Sequence, residues 1–285
     1  MEVIRDRATL LDWLAGKSPQ LAVALATRTA LRFLPLVATD KSDLASANVV
    51  LPTFRAVAAA WLAGMTGVLA EDLGDAASCA DAAAAATSEP KAAFAADSAA
   101  AAARVALASS ASDGAGAAKA AFNARVAFDL GAAAGATSAV GPKEMIWAPI
   151  DHDVDLIENG YSPRKLLQAP LWSGEPYDEI LIEWRKLNKN LRDLQENWEV
   201  WLDWYSDRLS IPFQRPLIEP LEVDRVVKLN EKDWQEGPSH INSIILELEF
   251  LHRKPDDSPE IIEGSIRLTY QTPTWHQDDR QASAY

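Results

Sequence analysis

The chain has 285 residues, enough for one large domain or two small ones with a sizeable core. Its 27 basic against 41 acidic side chains give a formal net charge of −14, which excludes general nucleic-acid binding because such affinity comes from basic side chains neutralising phosphates. Cys79 is the only cysteine, so no intramolecular disulfide and no cysteine-rich zinc site can form, and a reducing compartment fits best.

The charge is uneven. Residues 1–140 hold 11 basic and 13 acidic residues, net −2, leaving 16 basic and 28 acidic residues, net −12, to residues 141–285. The opening Met-Glu-Val-Ile-Arg-Asp-Arg lacks the basic region and apolar run of a signal peptide. The Ala-rich stretches are interrupted by Asp81, Glu89, Lys91, Asp97 and Arg104, and alanine is too weakly apolar to make them membrane spans. A soluble, cytoplasmic protein without membrane contact is the expectation.

In chain order, residues 4–38 read as two helices separated at Ser18 and Pro19, since Ser caps helices and Pro suits their first position. Leu21, Leu25, Leu31 and Leu34 supply apolar contacts up to Pro35. Residues 44–73 form a further helical segment carrying Phe54, Val57, Trp61, Leu62 and Met65, with Pro52 as a kink or a start.

Residues 76–140 contain 32 alanines out of 65. Alanine has the best helix propensity, and Glu89-Pro90 and residues 113–116 offer breaks, so two or three Ala-rich helices are predicted. Lys-Ala-Ala-Phe at 91–94 returns at 119–122, and Ala-Arg-Val-Ala at 103–106 returns at 124–127. Phe94, Val105, Leu107, Phe122, Val126, Phe128 and Leu130 recur among the alanines, which favours ordered helices over low-complexity disorder. Small side chains would let those helices approach closely.

Eight of the ten tryptophans lie beyond residue 140. Residues 151–159 read as a short helix stopped by Gly160, and Ser162-Pro163 starts another that ends near Ala169-Pro170. Pro176 then opens a helix that runs to about Leu209. Its apolar side chains Trp184, Leu187, Leu191, Leu194, Trp198, Trp201 and Tyr205 follow strict three-four spacing on one face. Pro212, Pro216 and Pro220 make an extended connector, and Gly237-Pro238-Ser239 precedes a last helix over 239–253. Ile266, Leu268 and Tyr270 alternate with Arg267 and Thr269 as a strand does, with residues 223–229 as an available hairpin partner that nothing in the sequence fixes. Residues 271–285 are polar and read as frayed. The fold class is therefore mainly α: a multi-helix bundle of close-packed Ala-rich helices and a long Trp-striped helix, with a short β-hairpin near the C-terminus. Three regions follow: an Ala-rich bundle over 1–140, a Trp-rich acidic helical region over 141–254 packed on it, and a strand with a polar tail over 255–285.

Ala-Pro-Leu-Trp at 169–172, Asn-Trp-Glu-Val-Trp-Leu-Asp-Trp-Tyr-Ser-Asp-Arg-Leu at 197–209 and Asp-Trp-Gln-Glu-Gly-Pro-Ser-His-Ile-Asn at 233–242 resemble an uncharacterised family of bacterial proteins, frequently alphaproteobacterial. Ala-Leu-Arg-Phe-Leu-Pro-Leu at 30–36 extends the resemblance toward the start. It covers about residues 20–250, specifically after 155. The family carries no established activity, and its look implies a shared recognition or assembly module, such as a regulatory or sensing subunit of a stress or defence system.

Three constellations stand out as candidate sites. The Trp-rich helix could build an aromatic cage from Trp184, Trp198 and Trp201, although such a stripe is more often core. Trp204 lies off the main stripe, which makes Trp201, Trp204, Tyr205 and Trp234 candidates for an interface. The contiguous Asp151, His152, Asp153 and Asp155 offer a metal or acid–base cluster, the plainer reading being caps at a helix N-terminus. Ser239, His240 and Asn242 at the start of the last helix could meet an anion or a partner's carboxylate, the plainer reading again being capping. The carboxylates Glu196, Glu199, Asp203 and Asp207 read as a solvated face, with Arg192 and Arg208 available for helical ion pairs to Glu196, Asp203 or Asp207.

No phosphate-binding glycine loop, dinucleotide fingerprint, nucleophile elbow or His-Glu-x-x-His pattern occurs. No cofactor is implied. The functional expectation is a non-catalytic helical module that contacts protein partners, most simply copies of itself. Two alternatives remain: a metal-dependent enzyme built on the Asp151 cluster, and an acidic surface that docks a basic partner.

Overall fold

The computed structural model describes residues 4–38, 44–67, 73–109, 144–209, 217 and 219–252. Asp6 caps α1 (Arg7–Leu14) by accepting from the Thr9 amide at 2.9 Å, and the Thr9 hydroxyl faces back toward the Asp6 backbone to complete a capping box. Pro19 then opens α2 (Pro19–Phe33) where the sequence places it, and a 3-10 turn (Leu34–Val37) follows. In α3 (Leu44–Thr66) Pro52 lies inside the helix rather than at its start. The Glu89-Pro90 break separates α4 (Leu73–Ala86) from α5 (Pro90–Ser109).

The Ala-rich helices are ordered parts of the core. Helix α5 packs on α2, α3 and α4, and its Ala92, Ala95, Ala96, Ala99, Ala100, Ala102 and Ala103 are fully buried. Side chains that small bring helix axes close together, and the larger Phe94 fills one gap edge-on to Phe33, with ring centres 5.0 Å apart. The proposed break at 113–116 and the repeats at 119–122 and 124–127 lie outside the described residues.

The second half wraps this core with shorter helices: α6 (Glu144–Glu158), α7 (Pro163–Leu167), α8 (Asp178–Asp193), α9 (Glu199–Leu209), α10 (Glu219–Val227), α11 (Glu231–Gln235) and α12 (Pro238–His252). Gly160, at φ +85°, turns the chain after α6, and the Ser162 hydroxyl caps α7. Helix α6 begins seven residues earlier than residue 151 and carries Pro149 inside. Helix α7 seats Leu167 against Gly64 of α3, where an added Cβ would lie 2.6 Å from Leu167 Cδ1. Apolar side chains from both halves, including Phe54, Trp61, Val105, Val154, Trp201 and Ile245, belong to one core.

Three sequence expectations fail here, one of them at Pro220, which stands at the second position of α10 rather than in an extended connector. The single helix from Pro176 to Leu209 is two helices, because Gln195 and Asn197 take left-handed backbone conformations at φ 56° and 57° and turn the chain. Residues 223–229 supply no strand, since residues 219–227 are helical, and among the described residues every regular element is a helix. The other half of the expected hairpin, at 266–270, lies outside the described residues, as do Pro212 and Pro216 and the polar tail.

Two helical stretches, Pro19–Val37 and Asn48–Thr66, are long and apolar enough to cross a membrane, and 89% and 83% of them is buried inside the fold. The first carries Arg28 and Arg32, both engaged inside the protein.

Candidate functional site

Helix α6 distributes the Asp151 cluster rather than gathering it. At 100° per residue, Asp151 and Asp155 share a face and Asp153 lies on the opposite one. Asp151 Oδ1 accepts the Ile4 amide at 2.7 Å and so anchors the start of the chain. Asp153 is fully buried. Its Oδ1 accepts from Arg28 Nε at 3.0 Å and Arg32 Nη2 at 2.7 Å. Burial by itself would raise the Asp153 carboxyl, but the Arg32 and Arg28 guanidiniums outweigh it and hold the group below its usual range. Among the described residues, no three metal-binding side chains converge. Of the candidate metal residues Asp151, His152, Asp153 and Asp155, the fold thus uses Asp151 as an anchor and Asp153 as a buried ion-pair centre.

The two arginines also hold the chain that follows α7. Arg28 Nη1 donates to the carbonyls of Leu166 at 2.7 Å and Ala169 at 2.8 Å, its Nη2 donates to Pro170, and Arg32 Nε donates to Leu171 at 2.6 Å. Two guanidiniums against one carboxylate leave an excess positive charge, and these carbonyls, at the end of a helix and in the turn after it, face it with their negative ends. The cluster ties α2, α6 and the segment after α7 into one unit.

The proposed interface residues are interior. Trp201 and Tyr205 are completely buried, and Trp204 and Trp234 are 2% and 7% exposed. Trp201 Nε1 donates to Asn242 Oδ1 at 2.8 Å, Trp204 Nε1 to Glu222 Oε2 at 2.9 Å and the Tyr205 hydroxyl to the Leu31 carbonyl at 2.9 Å. The Arg208 guanidinium lies between the rings of Trp61 and Trp204, 4.0 and 3.8 Å from their centres, and pairs with Glu222 at 3.0 Å. Burial lowers Arg208 to about 10, with Glu222 opposing that shift. Arg225 and Arg55 repeat the motif, pairing with Glu249 at 2.5 Å and Glu231 at 2.7 Å beneath Trp201 and Trp234. This is an aromatic core in which cations are stacked and each is matched to a carboxylate, and it holds α9, α10, α11 and α12 against α3.

Nor do Ser239, His240 and Asn242 converge on an anion. Asn242 is buried, accepting from Trp201 and donating its Nδ2 to the Glu196 carbonyl at 2.8 Å. His240 sits 3.6 Å from Asp233 and 3.4 Å from Glu236, two carboxylates that would repel an anion there. The Ser239 carbonyl accepts the Ser243 hydroxyl within the helix. Arg192 meets Glu199 and Asp203 across the turn at 3.4 and 3.8 Å, and Arg208 pairs with the distant Glu222.

Among the described residues, the exposed large apolar side chains are Leu107, Ile182, Val227, Leu246, Phe250 and Leu251, three of them on the last helix. On α12, Phe250 is 73% and Leu251 75% exposed, and Leu246, one turn before Phe250, is 38% exposed. Val227 of α10 is also exposed, three residues after Asp224, whose Oδ2 lies 2.7 Å from His252 Nε2 at the end of α12. No family model, curated protein or solved structure matches the chain. Sequence reasoning missed this face because apolar residues occur all round the last helix, so its pattern does not say which side is left open. It also missed the buried arginines, whose only signal was Arg28 and Arg32 one turn apart inside an otherwise apolar helix.

Proposed function

We propose that this chain is a non-catalytic helical interaction module of the bacterial cytoplasm that self-associates, and that the outward face of α12 is its contact surface. The observation that carries the reading is the pairing of Phe250 and Leu251, each about three-quarters exposed, in a protein that keeps Trp201, Trp204 and Tyr205 wholly inside. Large apolar groups clustered at one place on a surface mark contact sites, whereas single exposed ones are ordinary. The surroundings support it: Asp151, Asp153 and Asn242 are engaged in tying segments of the fold together, and the aromatic stripe is core.

Sedimentation of the full chain over a range of concentrations tests the proposal. The expected result is a discrete oligomer that Phe250→Asp with Leu251→Asp converts to monomer while far-ultraviolet circular dichroism is unchanged. A wild-type chain that stays monomeric at the highest concentration, or a double variant that assembles as before, overturns it.

A further inference from the structure

The chain between α7 and α8 passes beside α6 and leaves a recess of about 70 Å³, walled by Pro149, Trp172, Gly174, Glu175 and Tyr177. That is room for a few waters or for one molecule of about five heavy atoms. The rings of Trp172 and Tyr177 meet edge to face there, with centres 5.5 Å apart. Three polar atoms around the recess have no hydrogen-bond partner in the protein, although their side chains are more than nine-tenths buried: Trp172 Nε1, Arg32 Nη1 and Asp153 Oδ2. Trp172 is itself a wall. The Arg32 guanidinium carbon lies 5.8 Å from the centre of that ring, and Asp153 stands one helical turn beyond Pro149 on the same face of α6. Buried polar atoms are almost always bonded, so three of them beside one recess point to a group from outside the chain.

We propose that this recess binds a small carboxylate, whose oxygens accept from Trp172 Nε1 and Arg32 Nη1 and whose short apolar end lies against Pro149 and the Tyr177 ring. Charge decides in favour of an anion. Arg28 and Arg32 share the one carboxylate of Asp153, and its Oδ1 takes the contacts of both, so the ground behind Trp172 carries an excess positive charge. Hydrogen bonds from such donors to a carboxylate are the strong, charge-assisted kind. Glu175 is the one charged side chain among the lining residues. It is exposed, and its repulsion of an anion is weakened by water and screened by salt. An organic cation would suit the two aromatic rings, but the Trp172 ring already faces the Arg32 guanidinium. Asp153 Oδ2 is an acceptor and takes its donor from a water beside the ligand. The site is separate from α12, so it stands or falls independently of the contact surface.

Nitrogen–proton correlation spectra of the full chain at neutral pH test the site with sodium acetate as the probe. The signals read are the Gly174 amide and the Trp172 indole, identified as the indole peak missing from Trp172→Phe. Sodium chloride and methylammonium chloride at matched ionic strength are the comparators. The expected result is a saturable shift of both signals with acetate and with neither comparator. Trp172→Phe keeps a ring and removes the donor, so acetate binding read at Gly174 should weaken about tenfold. Gly174→Leu takes up space at the recess, where an added Cβ meets nothing within 4 Å, and should abolish the acetate response with circular dichroism unchanged. Saturation by methylammonium in place of acetate overturns the proposal in favour of a cation site. The same shifts with every salt, or none with any, assign the recess to water and overturn it as well, as does an acetate response that survives both substitutions unchanged.

Discussion

Asp153 receives both Arg28 and Arg32 in a site that water does not reach, so replacing it leaves two buried guanidiniums with no counter-charge. Breaking a buried pair by removing one partner costs about 3–5 kcal/mol, and Asp153→Asn should lower stability by that order in urea unfolding. A loss below about 1 kcal/mol would show that the carbonyls around Arg28 already compensate. The same residue sets a pH dependence. Its carboxyl is held below the usual value in the folded state, so its contribution is present above the unfolded-state value near 3.9 and is lost as pH falls through the folded one. Acid unfolding of Asp153→Asn should therefore be shallower than that of the wild type below about pH 4. Trp204→Ala acts in the other buried cluster, where it opens a cavity, removes one wall of the Arg208 stack and frees a Glu222 contact. A cost of about 3–5 kcal/mol is expected for such a truncation. Calorimetry should therefore record a lower melting temperature rather than a selective loss of assembly.

At the level of elements, the turn between α8 and α9 is held by a small set of polar bonds. Asn242 of α12 bonds the Glu196 carbonyl inside the turn and the Trp201 indole of the next helix, so Asn242→Ala unpairs both. Leaving buried groups unsatisfied costs about 1–3 kcal/mol, which chemical denaturation of that variant would register. Gln195 works against the turn, because a side-chain-bearing residue in the left-handed region costs about 1–2 kcal/mol. Gln195→Gly should stabilise the fold by up to about 1 kcal/mol, and Gln195→Val should destabilise it. This turn also shows where the sequence is legible. Helix ends written in serine, proline and glycine were readable at Ser18-Pro19, Glu89-Pro90, Gly160 and Ser162-Pro163, because those residues act locally. The end at 195–197 uses Gln, Glu and Asn, and the apolar three-four stripe runs through it in register, so local pattern argues for one helix while Asn242, distant in the chain, enforces two. The same reason hid the ion-pair centre: Asp153 is 125 positions from Arg28 and 121 from Arg32. Contiguity made Asp151, His152, Asp153 and Asp155 look like one site, whereas helical rotation separates them. The mainly helical fold class was legible throughout, since it rests on composition and period alone.

Across the whole molecule, the net charge of −14 gives a way to separate the contact surface from the alternative of an acidic face that docks a basic partner. Two copies of this chain repel one another at long range, and an apolar contact at α12 forms against that repulsion. Salt screens exposed charges over about 10 Å at 0.1 M and about 3 Å at 1 M, and it leaves the burial of Phe250 and Leu251 in place. Self-association through α12 should consequently tighten, or stay constant, as sodium chloride rises from about 0.05 M to about 0.5 M in sedimentation equilibrium. Assembly driven by attraction between acidic and basic surfaces would instead weaken steeply over the same range. The single-site variants sharpen the comparison. Phe250→Asp adds a like charge at the contact, so any assembly that it retains should recover with salt, whereas Phe250→Ala removes apolar area only, and its loss should be indifferent to salt. Recovery of the aspartate variant alone would place the contact at α12, and equal salt responses in both variants would place it elsewhere on the molecule.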